Sequence, residues 1–254
     1  RVSRPHNTID QWGHPMIKTE AKLHRKQIRK ARRELGQLFD YTTVVVWQGE
    51  SPADGAPIAA IVTNLKLASE NRKTGDMAQV YILRTDIRPV AAVGSGLDTS
   101  TCGNCPLRPL VATGAKCYVN TGWLGRLWES IPTLPRVSPE EVGEFIGRTG
   151  LELREGAYGD PAMVPMNVRD ALNVGRGTSY SHQWAESWNE PRSSDYSMAS
   201  VQTVDEKNAA NDAGYRTYRV TSGELESDEI LCPELTNNAN CKDCGLCAGN
   251  RVQA

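Results

Sequence analysis

Only two phenylalanines and four histidines occur in 254 residues. No apolar run approaches the roughly 18–20 residues that span a bilayer. Nor does any stretch combine a charged start, an apolar middle and a small-residue cleavage site, so neither a membrane span nor a secretory leader is readable. Position 1 is Arg rather than Met, which leaves a trimmed leader open. Net charge is scarce as well: 29 Lys+Arg against 30 Asp+Glu leave −1, which excludes the whole-chain basic excess of a nucleic-acid binder. Cysteine is absent outside two short segments, and its odd total of seven excludes a complete set of internal disulfides. The expectation is a soluble protein of a reducing compartment, cytoplasmic and without membrane contact. Its 39% hydrophobic content is enough for one substantial core or two small ones.

The charge balance conceals an asymmetry. Residues 1–40 hold ten Lys/Arg and four Asp/Glu, a net +6, which leaves −7 for the rest. After an extended arm over the first fifteen residues, the spacing of Leu23, Ile28, Leu35 and Leu38 predicts a helix over 17–39. It carries Lys22, Arg25, Lys26, Arg29, Lys30, Arg32 and Arg33. Such a run is either a solvated helix face or a surface for nucleic acid or a neighbouring protein.

Residues 41–95 read as a small β region, with strands at Thr42–Trp47, Ile58–Leu67 and Ala78–Leu83 and a hairpin closed by GESPADGAP. Residues 96–135 form a first cysteine-rich segment. From 136 to 225 strands and helices alternate: Ser138-Pro139 starts a helix that Gly150 stops, Leu151–Tyr158 is a strand, and Ala162–Val174 is a helix. Strands at Ser179–Trp184, Tyr196–Val201 and Tyr215–Val220 follow, with a helix at Val204–Ala213. The alternation predicts an α/β fold with parallel βα units, either a partial parallel barrel or an open sheet. Residues 226–254 form a C-terminal cysteine-rich tail.

Both cysteine groups have metal-ligand spacing. In the tail, Cys232-Pro is followed by Cys241-x2-Cys244-x2-Cys247, the tight triple plus distant Cys-Pro by which ferredoxin-type proteins hold a [4Fe–4S] cube. Zinc is the alternative, and disulfide pairing competes with both. The first group, Cys102-x2-Cys105-x11-Cys117, supplies three thiolates where a closed site takes four. A side chain or a bound small molecule must complete it. His182, the sole histidine outside the basic head, is a candidate ligand or acid/base. Because ligands bind at the C-terminal ends of parallel strands, Arg154, Glu155 and Asp160 are further candidates: Glu155 and Asp160 for catalysis, Arg154 for cofactor contact. Asp160 also suits helix capping. Arg108 would balance an anionic cluster or hold a ligand carboxylate or phosphate. The turn Asn71–Asp76 is polar enough to hold an anion, though an exposed loop is the favoured reading. Trp123, Trp128, Trp184 and Trp188 lie near the cysteine segments and suit core or shielding roles.

The runs KTGDMAQVYIL, CGNCPLRP, CYVN, YGDPAMVP, SYSHQW, MASVQT, GYRTYRV and the CP…CKDCGLC tail together resemble an uncharacterised cysteine-rich family of tailed bacteriophages and related bacterial elements, over roughly residues 65–250. That family looks distantly similar to radical S-adenosylmethionine enzymes. The resemblance implies a partial barrel, iron–sulfur clusters, S-adenosylmethionine as a further cofactor, and a location in the host cytoplasm or the virion. Those enzymes show C-x3-C-x2-C in one loop, whereas this chain has C-x2-C-x11-C. Two functions follow: an iron–sulfur enzyme acting on a nucleotide or nucleic acid, or a non-catalytic metal-stapled phage component that docks through its basic helix.

Overall fold

The computed structural model describes residues 39–251 except 67, 68, 70, 114–116 and 238, and of the first 38 residues it describes 8, 9, 15, 16, 26, 27, 30, 31 and 34. Three successive strands, β1 (Val44–Glu50), β2 (Pro57–Thr63) and β3 (Met77–Arg84), form an antiparallel meander. Their near-continuous apolar composition reflects burial on both faces. Val44, Val46, Ile58, Ala60, Val62, Ala78, Val80 and Ile82 enter one core cluster, while Val45, Ala59, Ile61, Tyr81 and Leu83 enter another. The hairpin closes as expected, with Ser51 N–H donating to Ala56 O at 2.9 Å.

Three short helices follow: α1 (Pro89–Ser95), α2 (Thr99–Cys102) and α3 (Leu124–Ser130). Helix α4 (Pro139–Thr149) begins where the sequence predicts it. The Ser138 side chain accepts the Glu141 N–H, Pro139 opens the first turn, and Gly150 ends it at φ +63°. Gly143 lets α4 press onto the next helix, because a Cβ there would meet Ala171 O at 1.9 Å.

β4 (Glu152–Tyr158) then pairs in parallel with β3, and β5 (Gly177–Thr178) pairs in parallel with β4. The result is one mixed five-stranded sheet in the order β1-β2-β3-β4-β5. The β region of 41–95 and the βα units after 136 therefore share a sheet, a pairing between distant segments that composition does not reveal. The helix expected over Ala162–Val174 is interrupted: Pro161–Met163 forms a 3-10 turn, Pro165 takes the cap position, and α5 spans Met166–Leu172. Proline has no N–H to give the preceding turn, so the helix restarts after it.

The strand expected at Ser179–Trp184 is shorter. Only β6 (Tyr180–Ser181) is strand there, in a second, three-stranded parallel sheet with β7 (Met198–Val201) and β8 (Thr217–Arg219), in the order β6-β7-β8. Between the last two strands, α6 (Val204–Asp212) carries a full capping box of Thr203 and Glu206. The fold is mixed α/β, and its parallel strands are divided between two sheets at Ser179 rather than continuous in one wall. The tail contributes α7 (Pro233–Asn237) and α8 (Cys241–Cys244). Among the described residues no helix is long and apolar enough to cross a membrane.

Candidate functional site

Helix α2 delivers Cys102 to a loop whose shape is set by contacts from elsewhere in the chain. Gly103 turns at φ +55°, and a Cβ there would lie 2.2 Å from Gln183 Oε1. That glutamine, just beyond β6, donates from Nε2 to Cys102 O at 3.0 Å and accepts the Asn104 N–H at 3.3 Å. Arg108 braces the same loop, donating to Gly103 O (2.9 Å), Gly96 O (2.7 Å) and Asp98 Oδ1 (2.7 Å). Cys117 returns to the loop through its N–H on Leu107 O at 2.7 Å. Burial pushes the Cys102 thiol well up, and Cys105, Asp98 and Cys117 add to the rise. Cys105 is pushed up to about 12, again by burial first, while the Leu107 N–H and Arg108 favour its thiolate. The three cysteines of this group are thus electrostatic neighbours, with Arg108 as a nearby cation.

The C-terminal group is anchored by backbone hydrogen bonds at both ends. Asn240 caps α8, Cys241 N–H donates to Lys73 O at 2.8 Å, and Lys242 N–H to Thr74 O at 3.1 Å. At the far end Ser179 N–H donates to Cys247 O at 3.0 Å, and Arg216 donates to Leu246 O (2.9 Å) and Gly249 O (3.1 Å). Cys232, Cys241, Cys244 and Cys247 all line one cavity of about 930 Å³ with Thr178, Tyr180, Met198 and Tyr218. Burial raises Cys247 to about 11, against a hydrogen bond with the Tyr180 phenol that favours the thiolate. Cys244 likewise rises by burial while accepting the Leu246 N–H. The Leu107 and Leu246 N–H groups therefore play the same part, each directed at the sulfur of a cysteine two residues earlier.

The other candidates separate. Arg154 and Glu155 are consecutive on β4 and so point to opposite faces. Glu155, 4% exposed, is enclosed on the α5 side by Arg169, which donates from Nε and Nη2 to its two oxygens at 3.1 and 2.9 Å. Arg154, Glu155 and Asp160 therefore do not gather at one point: Arg154 and Glu155 lie on opposite faces of β4, while the Asp160 charge acts on the Cys105 thiol. The Asp160 carboxylate accepts from Ala162 N (3.0 Å), Ser181 Oγ (2.7 Å) and His182 N (2.7 Å), which makes it the cap of the 3-10 turn and a tie to β6. His182 is lowered by burial, against the charges of Asp160 and Glu206. Of the basic run, Lys26 and Lys30 are helical and exposed, and Lys30 lies 3.7 Å from Glu34. Lys22, Arg25, Arg29, Arg32 and Arg33 lie outside the described residues.

Arg154 faces the cysteines. Its Nη2 donates to the Tyr118 hydroxyl at 2.6 Å, one residue past Cys117, and its charge also acts on the Cys241 thiol. It therefore connects Tyr118, the chain neighbour of Cys117, with the surroundings of Cys241. Sequence reading missed Tyr118, Tyr180, Tyr218, Thr178 and Gln79. Gln79 had a signal, being a lone polar residue in the apolar run of β3, and Tyr118 had its place next to Cys117, whereas Tyr180 and Tyr218 had none. All seven cysteines are free thiols. Among the described residues no three or more Cys, His, Asp or Glu side chains form a group that could hold a single metal ion. In comparisons with protein-family profiles, curated proteins and solved structures, nothing matches the chain.

Proposed function

We propose that the chain is an iron–sulfur protein of the tailed-phage type, with Cys232, Cys241, Cys244 and Cys247 holding a [4Fe–4S] cluster. Cys102, Cys105 and Cys117 hold a second cluster with an open position. The observation that carries this reading is that all four C-terminal cysteines, each a free thiol, line one cavity. Donors aimed at sulfur support it, since hydrogen bonds to cysteine sulfurs tune such clusters: Tyr180 on Cys247, Leu246 N–H on Cys244 and Leu107 N–H on Cys105. Tetrahedral zinc draws four sulfurs onto one ion, whereas a cube takes each thiolate on a different iron. Four cysteines lining one cavity suit the cube.

When bound, the clusters supply one-electron chemistry. The open position admits a substrate or a cofactor such as S-adenosylmethionine, and the substrate class is a nucleotide or nucleic acid. The chain's part is to hold the first loop through Gln183 and Arg108 and to offset thiolate charge with Arg108. The two parallel strand sets act as the wall of a partial barrel around it. Anaerobically purified protein should contain about eight irons per chain with matching sulfide if both clusters are cubes. Near-stoichiometric zinc without sulfide overturns the reading.

The exposed Lys26 and Lys30 favour a second reading, a non-catalytic metal-stapled phage component that docks nucleic acid or a neighbouring protein through residues 17–39. Its expected result is loss of nucleic-acid retention on deleting residues 1–40, at unchanged metal content. Equal retention by the truncated protein removes it.

A further inference from the structure

β3, β4 and β5 are in register at Gln79, Arg154 and Thr178, so these three neighbours point from the same face of the sheet. All are buried, at 4%, 6% and 3% exposure. A polar row in a sheet interior is costly unless its groups find partners. Gln79 has them: it accepts from the Tyr81 hydroxyl at 2.7 Å and donates to Thr74 Oγ1 at 3.4 Å. Arg154 and Thr178 are less well provided. Among the described residues no carboxylate lies within ion-pair distance of Arg154, whose recorded partner is the neutral Tyr118 hydroxyl. The Thr178 hydroxyl is buried without a partner, and Thr178 lines the cavity of the C-terminal cysteines.

The cations that line that cavity are already engaged. Lys207 pairs with Asp228, Arg219 pairs with Glu229, and Arg216 is directed at the carbonyls of Leu246 and Gly249. Arg154 is thus a buried cation whose counter-charge must come from outside the polypeptide's carboxylates, and guanidinium does not lose its proton to escape the cost. Its planar fork matches the paired oxygens of a carboxylate or phosphate, and the Thr178 hydroxyl supplies another donor on the same face. Tyr118 belongs to the same polar surround, its ring lying 4.9 Å from Lys73 Nζ, which adds a second positive group nearby.

We infer that Arg154, Thr178 and Tyr118 form an oxyanion-binding subsite that anchors the carboxylate or phosphate of a small substrate between the two cysteine groups. The inference rests on the iron–sulfur reading only for what the anchored molecule is presented to. The binding itself needs no cluster.

The test titrates the full anaerobically purified chain with inorganic phosphate and, separately, with acetate. Each is compared with chloride at equal ionic strength, with thermal midpoint and intrinsic fluorescence as readouts. One or both oxyanions should stabilise the protein beyond chloride, and whichever does so identifies the phosphate or the carboxylate as the group bound. Arg154→Met should lose at least about tenfold in apparent affinity at unchanged iron content, Arg154→Lys should keep part of the binding, and Thr178→Val should weaken it. Thr178→Val keeps the side-chain shape, so it tests the subsite even if Arg154→Met folds poorly. Equal binding by wild type and Arg154→Met, or no stabilisation beyond chloride, overturns the subsite. Loss of the C-terminal group's iron in Arg154→Met also overturns it, by assigning the Arg154 charge to the cluster. A chain that binds oxyanion but no iron would instead sink the metal reading and leave the subsite standing.

Discussion

Cys105→Ala should remove about half of the bound iron and sulfide, and Cys247→Ala should remove the other half, because each breaks one cysteine group while leaving the other intact. The physical basis is the separate anchoring of the two groups. Cys102–Cys117 is held by Arg108 and Gln183, and Cys241–Cys247 by Lys73, Thr74, Ser179 and Arg216. The consequences for stability should differ. The tail after Cys232 packs through its cysteine loop, so Cys247→Ala should also make residues 226–251 sensitive to protease, whereas Cys105→Ala should leave them protected. Metal analysis of the two variants with limited proteolysis checks both statements. If either substitution stripped all the iron, the seven cysteines would serve one site, and the two-cluster assignment would be wrong.

Arg169→Met should lower the unfolding free energy by about 3–5 kcal/mol, measured by urea denaturation at neutral pH. Arg169 is 1% exposed, and besides the two bonds to Glu155 it donates to Ser193 Oγ (2.7 Å) and Ser197 Oγ (2.8 Å). Removing it takes the counter-charge and two hydrogen bonds from a buried carboxylate. Replacing both ends, as in Glu155→Leu with Arg169→Met, should cost less than Arg169→Met alone, since no lone charge is left behind. The pH dependence has a definite sign. Burial raises the Glu155 carboxyl, but Arg169, through its charge and hydrogen bonds, together with the Asn173 hydrogen bond and the Arg251 charge more than offsets this, so the folded-state value lies below the ordinary 4.5. A depressed carboxylate contributes stability that is fully present above its unfolded value and is lost as pH falls through the folded one. The gap between wild type and Glu155→Gln should therefore be constant above about pH 5.5 and close in acid below the ordinary value. A gap that widened on acidification would reverse the assignment.

Much of the local architecture was readable because its causes are local. Ser138, Pro139 and Gly150 mark the ends of α4 since capping, a fixed φ and a left-handed turn each act within one helical turn. Strands β1 to β3 were visible as β-branched and apolar runs of the right length. The short α1, α2 and α3 were missed, having too few turns to establish a hydrophobic period. The surroundings of Glu155 were not readable for a different reason. Its partner Arg169 lies fourteen residues away on α5, and only the packing of that helix decides that this carboxylate is held in a buried ion pair.

The cysteines divide in the same way between local and distant causes. Their types and spacings are sequence facts, and these determined that two groups of thiols exist, one of four and one of three. The charge of the basic head and the alternation of strand and helix after residue 136 were determined there too. Tertiary structure alone decided that β3 pairs with β4, that Gln79, Arg154 and Thr178 stand in one register, and that Arg154 is bonded to Tyr118 on the face of β4 opposite Glu155. Spacing along the chain controls what a single loop or helix can present. Register between strands joins segments about 75 residues apart, and it is settled by which pairing buries the most apolar surface at once.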